Sequence, residues 1–267
     1  MFRLERDRER VREIVERVRR ARSLPEAFRM TVLEKPGKPA LGEKTGGRWR
    51  EFSFREVYRR VEDFAAGLSG LGVERGSRVA LMSENRVAWT VADVAIMSLG
   101  AATVPIFPTL GPRQVAHILE DSGAGVVVVE GERQLEAVRR SGVSVEHIVC
   151  MDEAGAGRGV LGFSEVEQRG ARSGDPGWEA KMLSLGREDV ATLIYTSGTS
   201  GRQKGVVLTH GNILSNLEAI IEVVPITDDD VGLSILPLSH VLERTCSQFL
   251  NLVGGGTNYI AESVEKV

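Results

Sequence analysis

Cysteine is nearly absent from this 267-residue chain: there are two, Cys150 and Cys246, far apart and outside any metal-ligand spacing. That excludes a disulfide framework and a cysteine-based metal centre, and makes reduced thiols in a cytosolic protein the expected state. Excess positive charge is also lacking. A formal net charge of -3 and a pI near 5.9 argue against a general nucleic-acid binder. No secretory apolar segment opens the sequence, and the most apolar stretch, residues 91–107, carries Asp93, Gly100 and Pro105. It reads as a buried helix followed by a strand, not as a membrane span. Lysine is scarce, outnumbered by arginine 28 to 6, which genome composition or heat adaptation would each produce. What is present, 42% hydrophobic and 27% charged residues, suits a soluble globular protein with a substantial core.

Periodicity sets the organisation. Residues 2–22 place Val11, Ile14, Val15 and Val18 at helical spacing among arginines and glutamates, predicting an amphipathic leading helix with charge-paired outer faces. Its arginine excess makes peripheral contact with an anionic membrane surface a candidate role, against which the interleaved acids favour a solvated helix. Ser23-x-x-Glu26 and Ser53-x-x-Glu56 are capping-box patterns opening two more helices, the second with Val57, Val61, Phe64 and Leu68 on one face. Between them Gly46-Gly47 predicts a hairpin. From 78 to 152, strands at 79–82, 103–107, 126–129 and 148–151 alternate with helices near 87–99, 113–120 and 133–140, which implies an α/β fold with a mainly parallel sheet covered on both faces. The glycine-rich run 153–186 reads as a flexible connector with a short helix near Phe163. Helices at 212–223 and 239–252 and strands at 233–236 and 257–260 complete the chain, without internal repeats.

The most informative stretch is residues 193–210, LIYTSGTSGRQKGVVLTH. Gly198, Gly201 and Gly205 let backbone approach an anion, Thr196, Ser197, Thr199 and Ser200 add hydroxyls, and Lys204 adds a compact positive charge, a combination suited to polyphosphate. It is not the commonest phosphate loop, G-x-x-x-x-G-K-[ST], because the lysine's neighbours are Gln203 and Gly205. The β-rich flanks predict strand, loop, strand instead of strand, loop, helix. An ordinary Gly/Ser surface hairpin is the plain alternative.

Residues 195–206 resemble the signature of the adenylate-forming superfamily of acyl-CoA synthetases, luciferases and peptide-synthetase adenylation domains, [YF]-T-S-G-[TS]-[TS]-G-x-P-K-G-V. One position departs: Gln203 stands where that pattern has proline, whose fixed φ would stiffen the loop. Residues 236–244, LPLSHVLER, resemble L-P-L-[AS]-H-x-x-E-R of long-chain fatty-acid CoA ligases. VPIFPTL and HILEDS within 89–122, and 255–267 ending AESVEKV, are similar to the same subfamily, so the resemblance runs from about Ser23 to the last residue.

After the leading helix at 1–22, the resemblance implies part of a large N-terminal domain at 23–267, with mainly parallel sheets flanked by helices. The family's Y-G-x-T-E segment, T-G-D aspartate and C-terminal lysine do not follow the loop here, and Ser173-Gly174-Asp175 precedes it and reads as a turn. The expectation is an N-terminal portion, inactive alone, lacking the rest of the large domain and a small mobile domain. The implied partners are a fatty acid, ATP with Mg²⁺, and CoA as co-substrate, with no nucleic acid. The implied site comprises Thr196, Ser197, Gly198, Thr199, Ser200, Gly201, Lys204 and Gly205 around the nucleotide, Thr196 near Mg²⁺, and His240 on the acyl and thioester path, with Thr196, Lys204 and His240 catalytic. His240 has the alternative of a helix-start histidine filling a hydrogen-bonding niche. Val241, Leu242, Thr245 and Phe249 form a face that lines an acyl tunnel or packs on the sheet. Glu243 and Arg244 suit a substrate role or an ion pair in the first turn of a helix. An acyl-carrier-protein ligase and a non-catalytic nucleotide or acyl-chain binder are the alternative functions.

Overall fold

Arginines and glutamates interleaved with a single valine and isoleucine stripe can bury only that stripe, and this governs how the chain begins. In the computed structural model, which describes residues 2–157, 159–197 and 202–261, α1 (Phe2–Arg20) buries Ile14, Val15 and Val18 against the body of the protein and packs beside α9 (His210–Val223). Arg17 on the same face is buried too, paired with Glu34 and donating to the Val253 carbonyl. The helix therefore offers a membrane no free apolar face from this stripe. α2 (Leu24–Glu34) opens on Ser23, whose hydroxyl accepts from the Glu26 amide, while the Glu26 carboxylate accepts from the Arg22 amide and not from that of Ser23. Only the second pattern is a full capping box: Ser53 and Glu56 exchange both bonds at the start of α3 (Phe54–Gly70), and Val57, Val61, Phe64 and Leu68 are buried as predicted. β1 (Pro39–Thr45) and β2 (Arg48–Ser53) form the hairpin, with Gly46 and Gly47 both at positive φ, 58° and 77°, as a primed turn requires.

Next come β3 (Arg78–Met82), α4 (Val87–Ser98), β4 (Ala102–Pro105), α5 (Pro112–Ser122), β5 (Val126–Val129), α6 (Glu132–Ser141) and β6 (His147–Cys150), alternating as the periodicity predicts. With β7 (Val160–Gly162), β8 (Val190–Ser197) and β9 (Gln203–Thr209) they build a seven-stranded sheet in the order β7-β6-β5-β3-β4-β8-β9, parallel except where β9 turns back on β8. β10 (Val231–Ser234) and β11 (Thr257–Ile260) join the first hairpin in a second sheet, order β10-β11-β1-β2. Residues 262–267, including most of the AESVEKV ending, lie outside the described residues. No helix among the described residues is long and apolar enough to cross a membrane.

Segment 153–186 corrects the sequence reading. The helix near Phe163 is present as α7 (Phe163–Ser173), but instead of a loose connector the segment also supplies β7 at the sheet edge and α8 (Trp178–Leu183). Its glycines signal close packing as much as bending. A Cβ on Gly170 would lie 1.8 Å from the Asp63 carbonyl oxygen and 2.6 Å from the Gly67 nitrogen, and one on Gly67 would lie 2.3 Å from the Val166 carbonyl oxygen. The backbones of α3 and α7 thus touch, with Phe64 stacked on Phe163 at 4.1 Å and Arg60 clamping Glu167 at 2.9 and 3.3 Å. Trp178 is buried, its indole donating to Ser98 Oγ at 2.8 Å. Ser173-Gly174-Asp175 is the turn it was read as: Gly174 has φ 61° and Asp175 accepts from the Gly177 amide. Gly170→Ala is expected to destabilise by about 1 to 3 kcal/mol or more through overpacking. Gly37→Ala, with nothing within 4 Å of its added Cβ, should stay within about 0.5 kcal/mol. Urea unfolding of the two variants checks this, and equal effects would refute the contact.

Candidate functional site

β8 leaves the sheet as a parallel strand beside β4, tied by the Thr192 hydroxyl donating to the Thr103 carbonyl at 2.6 Å, and returns as β9. The strand, loop, strand reading holds. In the hairpin register Thr196 faces Lys204, Tyr195 faces Gly205 and Ser197 faces Gln203. Side chains directly opposite share a face, so the Thr196 hydroxyl and the Lys204 ammonium are neighbours on the exposed side. Gly198, Thr199, Ser200 and Gly201 lie outside the described residues, as does the side chain of Ser197.

The opposite face explains Gly205. A Cβ there would meet the Tyr195 ring at 3.1 Å, so this glycine makes room for an aromatic lying across the hairpin in addition to any approach to an anion. Tyr195 is buried against the sheet, and its hydroxyl donates to Asp121 Oδ2 at 2.6 Å. Burial and the Asp121 carboxylate push the phenol pKa well up, which keeps it a donor. One helical turn earlier on α5, His117 Nε2 lies 2.8 Å from the Gln203 carbonyl oxygen. The Gln203 side-chain oxygen is buried without a partner among the described residues.

His240 opens α10 (Val241–Glu243), which continues through a π-helical turn, Arg244–Phe249, into α11 (Leu250–Gly254). Its Nδ1 accepts from the Leu242 amide at 3.2 Å, so the neutral ring carries its proton on Nε2, and the ring edge meets Phe107 just beyond β4. The helix-start niche and an exposed position beside the carboxyl end of a parallel strand therefore coexist in one residue. Asn85, beyond β3, holds the preceding loop with its amide nitrogen on the Leu236 carbonyl at 2.7 Å and its oxygen on the Leu238 amide at 2.7 Å.

Two expectations for this helix are corrected. Glu243 and Arg244 do not pair with each other: Glu243 accepts from Ser234 Oγ and the Ile235 amide, while Arg244, 1% exposed, clamps Asp93 of α4 and donates to Thr192 of β8. The tunnel-lining face is also divided. Thr245 and Phe249 are buried, Phe249 in the core, whereas Leu242 is 53% exposed. A π turn advances the helix by i→i+5 bonds, so residues spaced for an α-helix fall out of line across it.

His210, at the start of α9, is fully buried, with Nδ1 accepting from the Leu24 amide at 3.3 Å. Burial, reinforced by the Arg244 charge and opposed by Asp189, brings its pKa down to about 4. Between about 4 and the unfolded value of about 6.5 the unfolded chain binds a proton that the folded chain does not. Stability is then full above about 6.5 and falls as pH drops through that window, by up to about 3 kcal/mol. Urea midpoints at pH 7 and 5 for the native chain and His210→Phe check this, and an undiminished pH effect in the variant would contradict it.

As a cation site the described residues offer little: no group of three His, Cys, Asp or Glu side chains converges among them. Mg²⁺ prefers several oxygen ligands, usually carboxylates with phosphate oxygens. One hydroxyl, Thr196, fits a supplementary ligand to an ion that already rides on a polyphosphate. Sequence reasoning missed His117, Asp121, Asn85 and His210; the HILEDS segment was visible as a resemblance, but nothing local told which strand it would grip.

The chain matches the family described as AMP-binding enzyme over residues 28–266. The long-chain-fatty-acid–CoA ligase FadD15 of Mycobacterium bovis is 35% identical over 204 residues, 75% of this chain and 34% of that protein. The long-chain-fatty-acid–CoA ligase ACSBG2 of Xenopus laevis is 28% identical over 249 residues, 90% of this chain and 34% of that one. Among solved structures, the inhibitor-bound N-terminal domain of FACL13 from Mycobacterium tuberculosis superposes with a TM-score of 0.76 at 25% identity, covering 91% of this chain and 58% of that one. The chain thus spans about a third of the length of these curated relatives. With the loop signature, the strand and helix order and this match in agreement, the chain belongs to the AMP-binding family of adenylate-forming enzymes.

Proposed function

We propose that this chain carries the polyphosphate hairpin and the start of the acyl path of an enzyme that activates a long-chain fatty acid with ATP, first as the acyl-adenylate and then as acyl-CoA. The observation that carries the reading is the cross-strand pairing of Thr196 with Lys204 on an exposed face beside the carboxyl end of a parallel strand, where open α/β sheets bind ligands. A carboxylate attacks the α-phosphorus of ATP and pyrophosphate departs, so negative charge grows on phosphate oxygens that a fixed cation and amide donors can meet. Lys204 supplies the charge, and the amides of the hairpin and its loop supply donors. The Thr196 hydroxyl would serve as a supplementary ligand to Mg²⁺ bound with the triphosphate, an ion that would supply charge neutralisation on the leaving group.

No general base is required, because the attacking carboxylate is ionised at neutral pH. His240 agrees with this: with Nδ1 engaged by the Leu242 amide, its neutral ring has only an Nε2 donor left to offer. The long-chain assignment is supported by the LPLSHVLER segment and by the names of the relatives above. Val241 and Leu242, apolar residues beside His240 that are not buried, support this reading as candidates to meet an acyl chain.

Each buried methylene contributes about 0.8 kcal/mol, so a built acyl path makes affinity rise steeply with chain length. Stable acyl-adenylate analogues bearing acetyl, octanoyl, palmitoyl and coumaroyl groups, titrated calorimetrically into the protein, test this. Tightest binding is expected for palmitoyl. A maximum at acetyl or coumaroyl would overturn the long-chain reading and leave the family assignment intact.

A further inference from the structure

The hairpin is gripped on both arms by one helix, through residues that neither the loop signature nor the proposed chemistry uses. His117 and Asp121 stand four apart on α5, one turn of one face. Asp121 accepts from the Tyr195 hydroxyl on β8 at 2.6 Å, and His117 Nε2 meets the Gln203 carbonyl on β9 at 2.8 Å. A carbonyl can only accept, so His117 is the donor through a protonated Nε2. The two rings also meet edge to face at 6.2 Å, closing the set, and the missing side chain of Gly205 gives the Tyr195 ring its place. Gln203 directly precedes Lys204, and Tyr195 directly precedes Thr196. The His117 contact therefore holds the backbone, and the Asp121 contact a side chain, one residue from a group assigned to the polyphosphate.

We infer that His117 and Asp121 are positioning residues that hold the two arms of the hairpin in register, so that Thr196 and Lys204 present together to a polyphosphate; this rests on the phosphate-site reading above. Its physical basis lies in β9. An edge strand has a partner on one side only, and Val206 and Val207 further along it are exposed, so little packing of its own holds the arm in place. The helix supplies what the sheet does not. Neither residue touches the nucleotide in this scheme; His117 acts through the Gln203 backbone carbonyl and Asp121 through the Tyr195 side chain.

The test uses three variants of the 267-residue chain. His117→Leu removes the donor at similar size, His117→Gln retains an N–H able to reach the carbonyl, and Tyr195→Phe removes the hydroxyl that Asp121 holds. Amide hydrogen exchange is followed at residues 195–197 and 203–205, with Val127 and Val128 of central strand β5 as internal reference, and dissociation constants for MgATP and for AMP are measured by calorimetry. His117→Leu and Tyr195→Phe should each speed exchange in the hairpin and weaken MgATP by about two- to tenfold, the range of one hydrogen bond. AMP affinity and the β5 amides should be unchanged, and His117→Gln should restore most of the loss.

Unchanged hairpin exchange in His117→Leu, or a loss that His117→Gln fails to restore, would overturn the inference, as would equal weakening of MgATP and AMP. Native protein that ignores MgATP while the exchange changes still occur would refute the phosphate-site reading and leave the gripping of the hairpin standing.

Discussion

Asp93→Ala should destabilise the protein by about 3 to 5 kcal/mol, the cost of leaving a buried charge without its partner. Asp93 is fully buried on α4 and accepts from Arg244 Nε at 2.8 Å, from Arg244 Nη2, and from Gln248 Nε2 at 2.7 Å. Arg244 also donates to Thr192 Oγ1 at 2.8 Å and lies over the rings of Trp89 and Phe249 at 5.7 and 5.4 Å, while Thr90 donates to Gln248. Truncating Asp93 strands a guanidinium that water cannot reach. Pairing the loss with Arg244→Met removes the stranded charge, so the double variant should be more stable than Asp93→Ala alone. Urea unfolding of the single and double variants measures the cycle; additive losses would mean that the two residues do not act as a pair. The network joins the π turn after His240 to β8 and hence to the hairpin, so nucleotide affinity should fall along with stability.

That network also marks how far the sequence could be read. Valine and isoleucine runs gave the strands of the parallel sheet, because such segments bury well only between layers of helix. Ser53 with Glu56, and Gly46 with Gly47, gave a capped helix and a hairpin from local chemistry alone. The hairpin signature marked residues 195–206 as the proposed phosphate site, and the structure brings Thr196 and Lys204 opposite each other between two strands. Long-range partners were not legible. Asp93 was visible as a carboxylate inside the most apolar stretch of the chain, which demands a buried counter-charge, but nothing near it named Arg244, 151 positions away. Gly170 looked like flexibility because a glycine that lets two helices touch is indistinguishable, in one dimension, from a glycine in a loop. The π turn was hidden too, since apolar spacing assumes 3.6 residues per turn.

Lys204→Ala should weaken MgATP binding by about 10- to 150-fold, equivalent to about 1.5 to 3 kcal/mol for a hydrogen bond to a charged group. Gln203→Pro should change it little, or improve it. The substitution removes a side-chain oxygen that is buried without a partner among the described residues, and its lowering of unfolded-chain entropy contributes about 0.4 to 1 kcal/mol where φ is compatible. It leaves the Gln203 carbonyl position, on which His117 acts, chemically intact. The contrast separates charge from backbone stiffness at adjacent positions. Equal losses in the two variants would mean that loop conformation, not the lysine, governs affinity.

The central claim is that the β8–β9 hairpin is where this protein holds polyphosphate, and a titration of the isotope-labelled chain with MgATP, followed through its backbone amide resonances, tests it most directly. The largest shifts should fall on residues 195–205 in the native protein, and should shrink at the same MgATP concentration in Lys204→Ala while Gln203→Pro retains them. Shifts confined to another surface, such as the charged groove where α1 meets residues 222–230, or shifts at the hairpin that persist undiminished in Lys204→Ala, would contradict it.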